Sequence, residues 1–154
     1  MSKIERIIEE LKNIHNGNAW HGASLADALK GITFEQAAAR PIENAHNIWE
    51  IVAHIAGWED VFRRRFEAQG TSAPEAGDFP APTETSEKTW AETLGKLEIV
   101  HEKLLDAVAK LPDSIFEQTI KGKDYSYRFL LRETINHKIY HTGQIALLKK
   151  ALAD

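Results

Sequence analysis

Hydrophobic residues recur with a helical period over nearly the whole of this chain. Ser2 with Glu5 forms a capping box, and an apolar stripe at residues 4, 7, 8, 11 and 14 predicts a first helix that runs to about His15. A second stripe, at residues 48, 51, 55, 58, 62 and 66, predicts a helix over about 45–67. Two more stripes predict a third long helix opened by Ser86 and a last helix over about 126–152. The pattern therefore predicts an all-α protein with four main helices.

Two short elements are expected between the first and second of these helices. Ser24 with Asp27, and Thr33 with Gln36, repeat the capping signature ahead of short apolar segments. Gly31 is suited to end the first of the two segments, because glycine tolerates the left-handed backbone that often follows a helix. Residues 113–125 are expected to be a loop with a strand-like stretch over 116–120, and no strand pair is predicted.

The segment from about Ala68 to Thr85 has almost no periodicity. It contains two glycines and three of the five prolines, which is typical of a loop. Some 18 residues reach roughly 60 Å when extended, about twice the length of a 20-residue helix. Such a connection is long enough to cross the bundle, so that helices two and three run parallel, or to act as a lid. We expect a single domain, residues 1–154, folded as a four-helix bundle with a long loop connecting helices two and three.

Composition narrows the possible functions. The chain has no cysteine, which excludes disulfides and thiolate zinc sites and suits a reducing compartment. Its formal net charge is -4, and its densest basic run is Arg63-Arg64-Arg65, so nucleic-acid binding is not expected. The charged start of the chain does not resemble a signal peptide, and no apolar run approaches membrane-spanning length. We expect an unprocessed cytoplasmic protein that binds neither nucleic acid nor membrane.

Histidines interrupt the apolar seam of the last predicted helix. Residues 130, 134, 137, 141, 144, 148 and 151 share one face and read Leu, Thr, His, His, Gln, Leu, Ala. A buried imidazole without a partner costs on the order of 1 to 3 kcal/mol, so His137 and His141 should have partners. Residues four apart on a helix can converge on one metal ion. The pair therefore predicts a metal site, although H-x-x-x-H alone is also common on partly exposed helices.

A third ligand must come from another helix. His54 and His101 both lie on predicted inward faces, and spacing does not choose between them; each also suits a hydrogen-bonded core histidine. Three histidines would leave an open position, as in catalytic zinc, nickel or ferrous iron sites. A zincin motif is excluded, because Lys138 stands where H-E-x-x-H requires glutamate.

The chain resembles the DinB and YfiT-like superfamily. The resemblance rests on residues 48–59, Ile-Trp-Glu-Ile-Val-Ala-His-Ile-Ala-Gly-Trp-Glu, and on residues 137–145, His-Lys-Ile-Tyr-His-Thr-Gly-Gln-Ile. The family layout is a four-helix bundle with a long connection between its second and third helices. The resemblance implies a divalent metal held by His54, His137 and His141, with His101 as a departure that either completes the site or bonds across the core. It also implies homodimers.

The same resemblance implies two reaction types acting on a small-molecule substrate. Some members resemble metal-dependent hydrolases, and others resemble transferases or isomerases that use a low-molecular-weight thiol such as bacillithiol or mycothiol. Such a thiol would be borrowed, because the chain has no cysteine. Glu50 and Glu133, each one turn before a predicted ligand, are candidate bases or hydrogen-bond acceptors, and Gln144 could orient a ligand. No catalytic residue is assigned beyond the metal.

Two other functional classes stay open. The chain could be a metal-binding or ligand-binding bundle without turnover, since no base is identified. It could also be a dimeric interaction protein whose polar seam specifies the dimer and holds no metal.

Overall fold

The computed structural model describes residues 1–70 and 72–153, and this part of the chain is helical with no strand. Its six α-helices are α1 (Lys3–Asn16), α2 (Leu25–Leu29), α3 (Phe34–Ala38), α4 (Ile48–Phe66), α5 (Glu87–Ala109) and α6 (Tyr127–Ala151). A 3-10 helix covers Asp113–Ile115, and the strand-like stretch contributes only an isolated bridge between Thr119 and Ser126. The all-α prediction is confirmed.

Side-chain caps fix where the helices begin. Ser2, Ser24, Thr33, Asn47 and Ser86 each accept a hydrogen bond from the backbone N–H three residues later, with the reciprocal bond also present. These caps satisfy backbone donors that a helix start leaves free. Gly31 follows α2 with φ 77°, a left-handed conformation that glycine adopts without a steric penalty. The helix starts read from the sequence therefore have a direct local cause.

The core consists of two apolar clusters. One includes Leu11, Phe62, Leu104 and Leu131, and the other includes Ile55, Leu97 and Ile145 among its members. Between them along the four long helices lies a layer of buried polar residues, one from each helix: His15, Glu59, His101 and Lys138. We call these four residues the polar layer.

The connection between α4 and α5 packs back onto α4. A Cβ built on Gly57 would lie 3.3 Å from Pro74, so a glycine at this position allows the close approach. Further along, Trp58 Nε1 donates a hydrogen bond of 2.7 Å to Asp78 Oδ1. The connection therefore lies against the face of α4 that carries His54. No helix among the described residues is long and apolar enough to cross a membrane.

Candidate metal centre

His54 of α4 meets His137 and His141 of α6. One nitrogen from each ring lies within 4.8 Å of the other two. The closest approach joins Nε2 of His54 to Nε2 of His137 at 3.0 Å, and His141 lies 4.5 Å from both other rings, centroid to centroid. His54 and His141 are buried, and His137 is half-buried. The two helices thus assemble a three-histidine group that is compatible with metal binding.

The second ring nitrogens of two histidines have acceptors. His54 Nδ1 lies 2.7 Å from the carbonyl oxygen of Asp78, which can only accept, so Nδ1 carries the proton. His141 Nδ1 lies 2.7 Å from Gln144 Oε1 and donates to it in the same way. A neutral imidazole protonated at Nδ1 has its lone pair on Nε2. Both rings therefore present Nε2 as a ligand atom.

His137 is held differently. Its Nδ1 is buried and has no hydrogen-bond partner among the described residues. Its Nε2 faces Nε2 of His54, and two such nitrogens within 3.0 Å must share one proton or one bound cation. An orphaned ring nitrogen beside a nitrogen–nitrogen contact is expensive to bury. The Nε2 atoms of His54 and His137 are close enough for both to coordinate one metal ion in place of their mutual contact, while Nδ1 of His137 would stay without a partner among the described residues.

Burial favours the neutral form of His137 and of His141. It lowers the pKa of His137 to about 3, with repulsion from His141 and then His54 acting in the same direction. Burial also lowers the pKa of His141, while its hydrogen bond to Gln144 opposes the shift. Neutral imidazole is the form that coordinates metals. Three imidazole nitrogen donors suit zinc, nickel or ferrous iron.

The loop residues Asp78 and Phe79 close over His54. Besides its carbonyl, Asp78 places Oδ1 3.1 Å from His54 Nδ1. Phe79 stacks flat on the His54 ring, with centroids 3.9 Å apart and planes 3° from parallel. Sequence reasoning missed both residues, because aperiodic loops carry no signal for which side chain turns inward. The Asp-Phe pair in a Gly/Pro-rich segment was the only available hint.

Glu50 and Glu133, the carboxylates suggested from spacing, form no hydrogen bond to the three-histidine group. Glu50 Oε1 accepts hydrogen bonds from Arg40 and from the backbone N–H of Asn47. Glu133 lies near Arg132 and Asn136, and it forms no bond to His137. Asp78 is the carboxylate that contacts a ring of the three-histidine group. Gln144, by contrast, orients His141 as the sequence suggested.

His101 lies in the polar layer and not in the three-histidine group. Its Nδ1 is 3.2 Å from Nζ of Lys138, which also contacts His15 Nδ1 at 2.8 Å. The His15 and His101 rings stack with centroids 3.6 Å apart. Because Lys138 can only donate, both Nδ1 atoms accept its hydrogen bonds and carry no proton. Of the two roles considered for His101, the structure shows the hydrogen bond across the core.

The polar layer extends to the surface on one side. His15 Nε2 lies 2.9 Å from Glu98 Oε1, whose side chain is half exposed. On the other side Lys138 Nζ meets Glu59 Oε1 at 2.6 Å. That contact is an ion pair rather than a well-angled hydrogen bond, since neither oxygen of Glu59 has a hydrogen-bond partner among the described residues. His15 was placed at a helix end by the sequence, yet it is fully buried.

A family model described as the DinB superfamily matches residues 19–145. No curated protein and no solved structure shows significant similarity to the chain. The matched range contains all three clustered histidines and the loop that covers them. The chain belongs to the DinB superfamily.

Proposed function

We propose that this protein is a small metal-dependent enzyme whose centre is one divalent ion held by His54, His137 and His141. The observation that carries the proposal is the set of three imidazoles with one nitrogen from each within 4.8 Å of the other two, two of the rings being oriented by hydrogen bonds at Nδ1 that leave Nε2 available as a ligand atom. Three protein ligands are typical of catalytic sites, whereas structural zinc sites usually have four. When bound in such a site, a divalent ion lowers the pKa of water or of a thiol and polarises a carbonyl.

The chain's own residues orient the ligands. Asp78 and Gln144 hold the rings of His54 and His141, and Phe79 covers one face of His54. Acceptors of this kind fix the tautomer and increase ligand basicity. Aromatic side chains surround the group, since Phe62 lies edge-on to His137 and Tyr140 edge-on to His141. Of these two residues Phe62 is buried and Tyr140 is exposed, so the group is covered by an aromatic ring on the Phe62 side.

Two reactions suit this centre, and both use a nucleophile made reactive at the metal. In a hydrolase the nucleophile is water. In a thiol S-transferase it is a low-molecular-weight thiol supplied as a second substrate, because the chain has no cysteine. Among the described residues, Asp78 is the carboxylate in contact with the group, and it already accepts from Trp58. We therefore assign no general base.

Metal analysis by inductively coupled plasma mass spectrometry tests the proposal. Tag-free wild type would be compared with His54→Ala, His137→Ala and His141→Ala after reconstitution with zinc, nickel or ferrous iron. His101→Asn is the matched control, because asparagine keeps an acceptor near the position of Nδ1. We expect about one metal per chain in wild type and control, and loss in the other three variants. Absence of metal from reconstituted wild type would refute the site.

Activity assays separate the two reactions. Metal-loaded wild type would be assayed for hydrolysis of activated esters and amides and for conjugation of small thiols to electrophiles, with His137→Ala as the blank. Turnover of either class that disappears in the blank supports the enzyme. Stoichiometric metal without turnover in either assay would favour the alternative, a metal-binding or ligand-binding bundle without catalysis.

The remaining expectations are part of the same proposal. We propose that α1, α4, α5 and α6 form a four-helix bundle and that the connection after α4 is its long loop. Homodimers and a cytoplasmic location stay predictions, and sedimentation analysis tests the first. A dimeric interaction protein without metal would instead show altered association when His137 and His141 are replaced.

A further inference from the structure

A cavity of about 350 Å³ adjoins the three-histidine group. Nine residues line it, and they come from the segment before α4, from α4, from the connection after α4 and from α6. Two of these lining residues also contact the predicted ligands: Phe79 stacks on His54, and Gln144 bonds to His141. A molecule in this cavity would therefore touch the side chains that orient two of the three histidines.

No carboxylate, ammonium or guanidinium group lines the cavity. None of its nine residues is Asp, Glu, Lys or Arg. Three other cavities formed by the described residues, of about 310, 440 and 540 Å³, are each lined by at least three such side chains. A charged group entering this cavity would lose hydration without gaining a counter-ion from an Asp, Glu, Lys or Arg side chain. This cavity therefore selects against charged ligand groups.

The residues that line the cavity range from solvent-exposed at its entrance to buried at its inner end. Ile51 and Leu148 are buried, whereas Ile42 and Leu147 are 43% and 61% exposed. Exposed isoleucine and leucine at the rim make the entrance itself apolar. Ligand sites commonly combine such walls with a few polar groups. Here the polar groups are Asn44, His46 and Gln144.

Phe79 is a fixed wall of the cavity. His46 stacks on it with centroids 3.7 Å apart and planes 4° from parallel, and His54 stacks at 3.9 Å. Two parallel imidazoles this close must lie on opposite faces of the phenyl ring. Only the ring edge of Phe79 is then left for a ligand, and an aromatic edge favours the face of another ring.

The geometry points to this cavity as the binding site for an uncharged, ring-bearing part of the substrate. The inference rests on the proposed function, whose substrate class it names. An apolar cavity of about 150 Å³ holds benzene, so about 350 Å³ accommodates a single or fused bicyclic ring. One polar substituent would find partners among Asn44, His46 and Gln144.

Indole and benzoate are suitable probes, because both carry a six-membered ring but only benzoate is charged at neutral pH. Binding to the full-length protein would be measured by calorimetry and by amide chemical shifts, with and without added zinc. We expect indole to bind about tenfold more tightly than benzoate and to shift the signals of Phe79 and Gln144. Equal binding of the two probes, or no indole binding up to its solubility limit, would overturn the inference.

Two variants localise the bound probe. Ala45→Phe should fill the cavity and weaken indole binding about tenfold, whereas Ala76→Phe, which lines two of the charged cavities, should leave it unchanged. Leu147→Glu places a carboxylate on the exposed rim and should also weaken indole binding, and it serves if Ala45→Phe does not fold. Unchanged binding in a folded Ala45→Phe or Leu147→Glu protein would place indole elsewhere and refute the assignment.

The same experiment distinguishes this inference from the proposed function. Indole binding is expected in metal-free wild type and in His137→Ala, since neither change alters the lining. A chain that binds indole but no metal would retain the cavity and reject the metal-dependent enzyme. A chain that binds metal but no indole would keep the proposed metal site and reject the assignment of the cavity.

Discussion

Lys138 Nζ lies 2.6 Å from Glu59 Oε1, and neither side chain has exposed surface. The ammonium also contacts Nδ1 of His15 and of His101, so it is surrounded by one charged and two neutral acceptors. Burying either charge alone is strongly unfavourable. The pair thus ties α4 to α6 at the level where His54 meets His137, and the polar layer and the three-histidine group occupy two faces of the same α6 turn.

Breaking this ion pair should be costly, and replacing both partners should be tolerated. We expect Lys138→Met and Glu59→Leu each to lower the free energy of unfolding by about 3–5 kcal/mol, because each leaves an uncompensated buried charge. The free energy of unfolding of the double variant, measured by urea denaturation, should decrease by much less than the sum of the two single losses. Additive losses would show that the two charges do not stabilise each other.

Because of the polar layer, the free energy of unfolding should decrease as the pH is lowered. Burial, and next the charge of Lys138, lowers the pKa of His15 to about 2 and that of His101 to about 3. Below the ordinary pKa of about 6.5 the unfolded chain binds protons that the folded chain does not, so the stabilisation present above pH 6.5 is lost as pH falls towards 3. Each histidine contributes a slope of about 1.4 kcal/mol per pH unit in that window.

Denaturation of metal-free protein between pH 6.5 and 4.5 measures this slope. His101→Asn keeps an acceptor for Lys138 but cannot take up a proton, so its slope should be smaller than that of wild type by about 1.4 kcal/mol per pH unit. The comparison subtracts the contributions of His137 and His141, whose lowered pKa values act in the same direction. Identical slopes would mean that His101 is protonated in the folded state.

The partners of the ligand rings should control metal affinity. Gln144→Ala removes the acceptor of His141, and Asp78→Ala removes a carboxylate beside His54 but keeps the backbone carbonyl. We expect the larger loss from Gln144→Ala, within the 10–100-fold range that such partners typically contribute, measured by competition with a chelator. Glu133→Ala is the control, and an equal effect there would rule out specific orientation.

Metal should stabilise the fold. An ion present at about 100 times its dissociation constant adds about 2.7 kcal/mol to the free energy of unfolding if only the folded state binds it. Thermal unfolding of wild type should therefore shift upward on addition of zinc, and His141→Ala should not respond. A shift of the same size in His141→Ala would locate the metal outside the three-histidine group.

Short-range patterns in the sequence predicted the helix starts and the inward position of two histidines. A capping box predicted the start of α1 at Ser2, and Ser86 alone was predicted to open α5; both starts are local because a cap is formed by residues three positions apart. Helical periodicity placed His137 and His141 on one inward seam for a similar reason. The sequence left the third histidine open until the family resemblance indicated His54, because the choice depends on how two distant helices face each other.

The sequence by itself determined the helices, the i, i+4 histidine pair and the lack of any cysteine thiol in the chain, since each depends on residue type and short-range spacing. Only the tertiary structure decided which distant groups meet. It placed Asp78 and Phe79 over His54, because packing and not periodicity orients a loop. It also assigned Lys138 to Glu59 across the core. Burying a charge is tolerable only where a long-range partner is present, and no spacing rule reveals that partner.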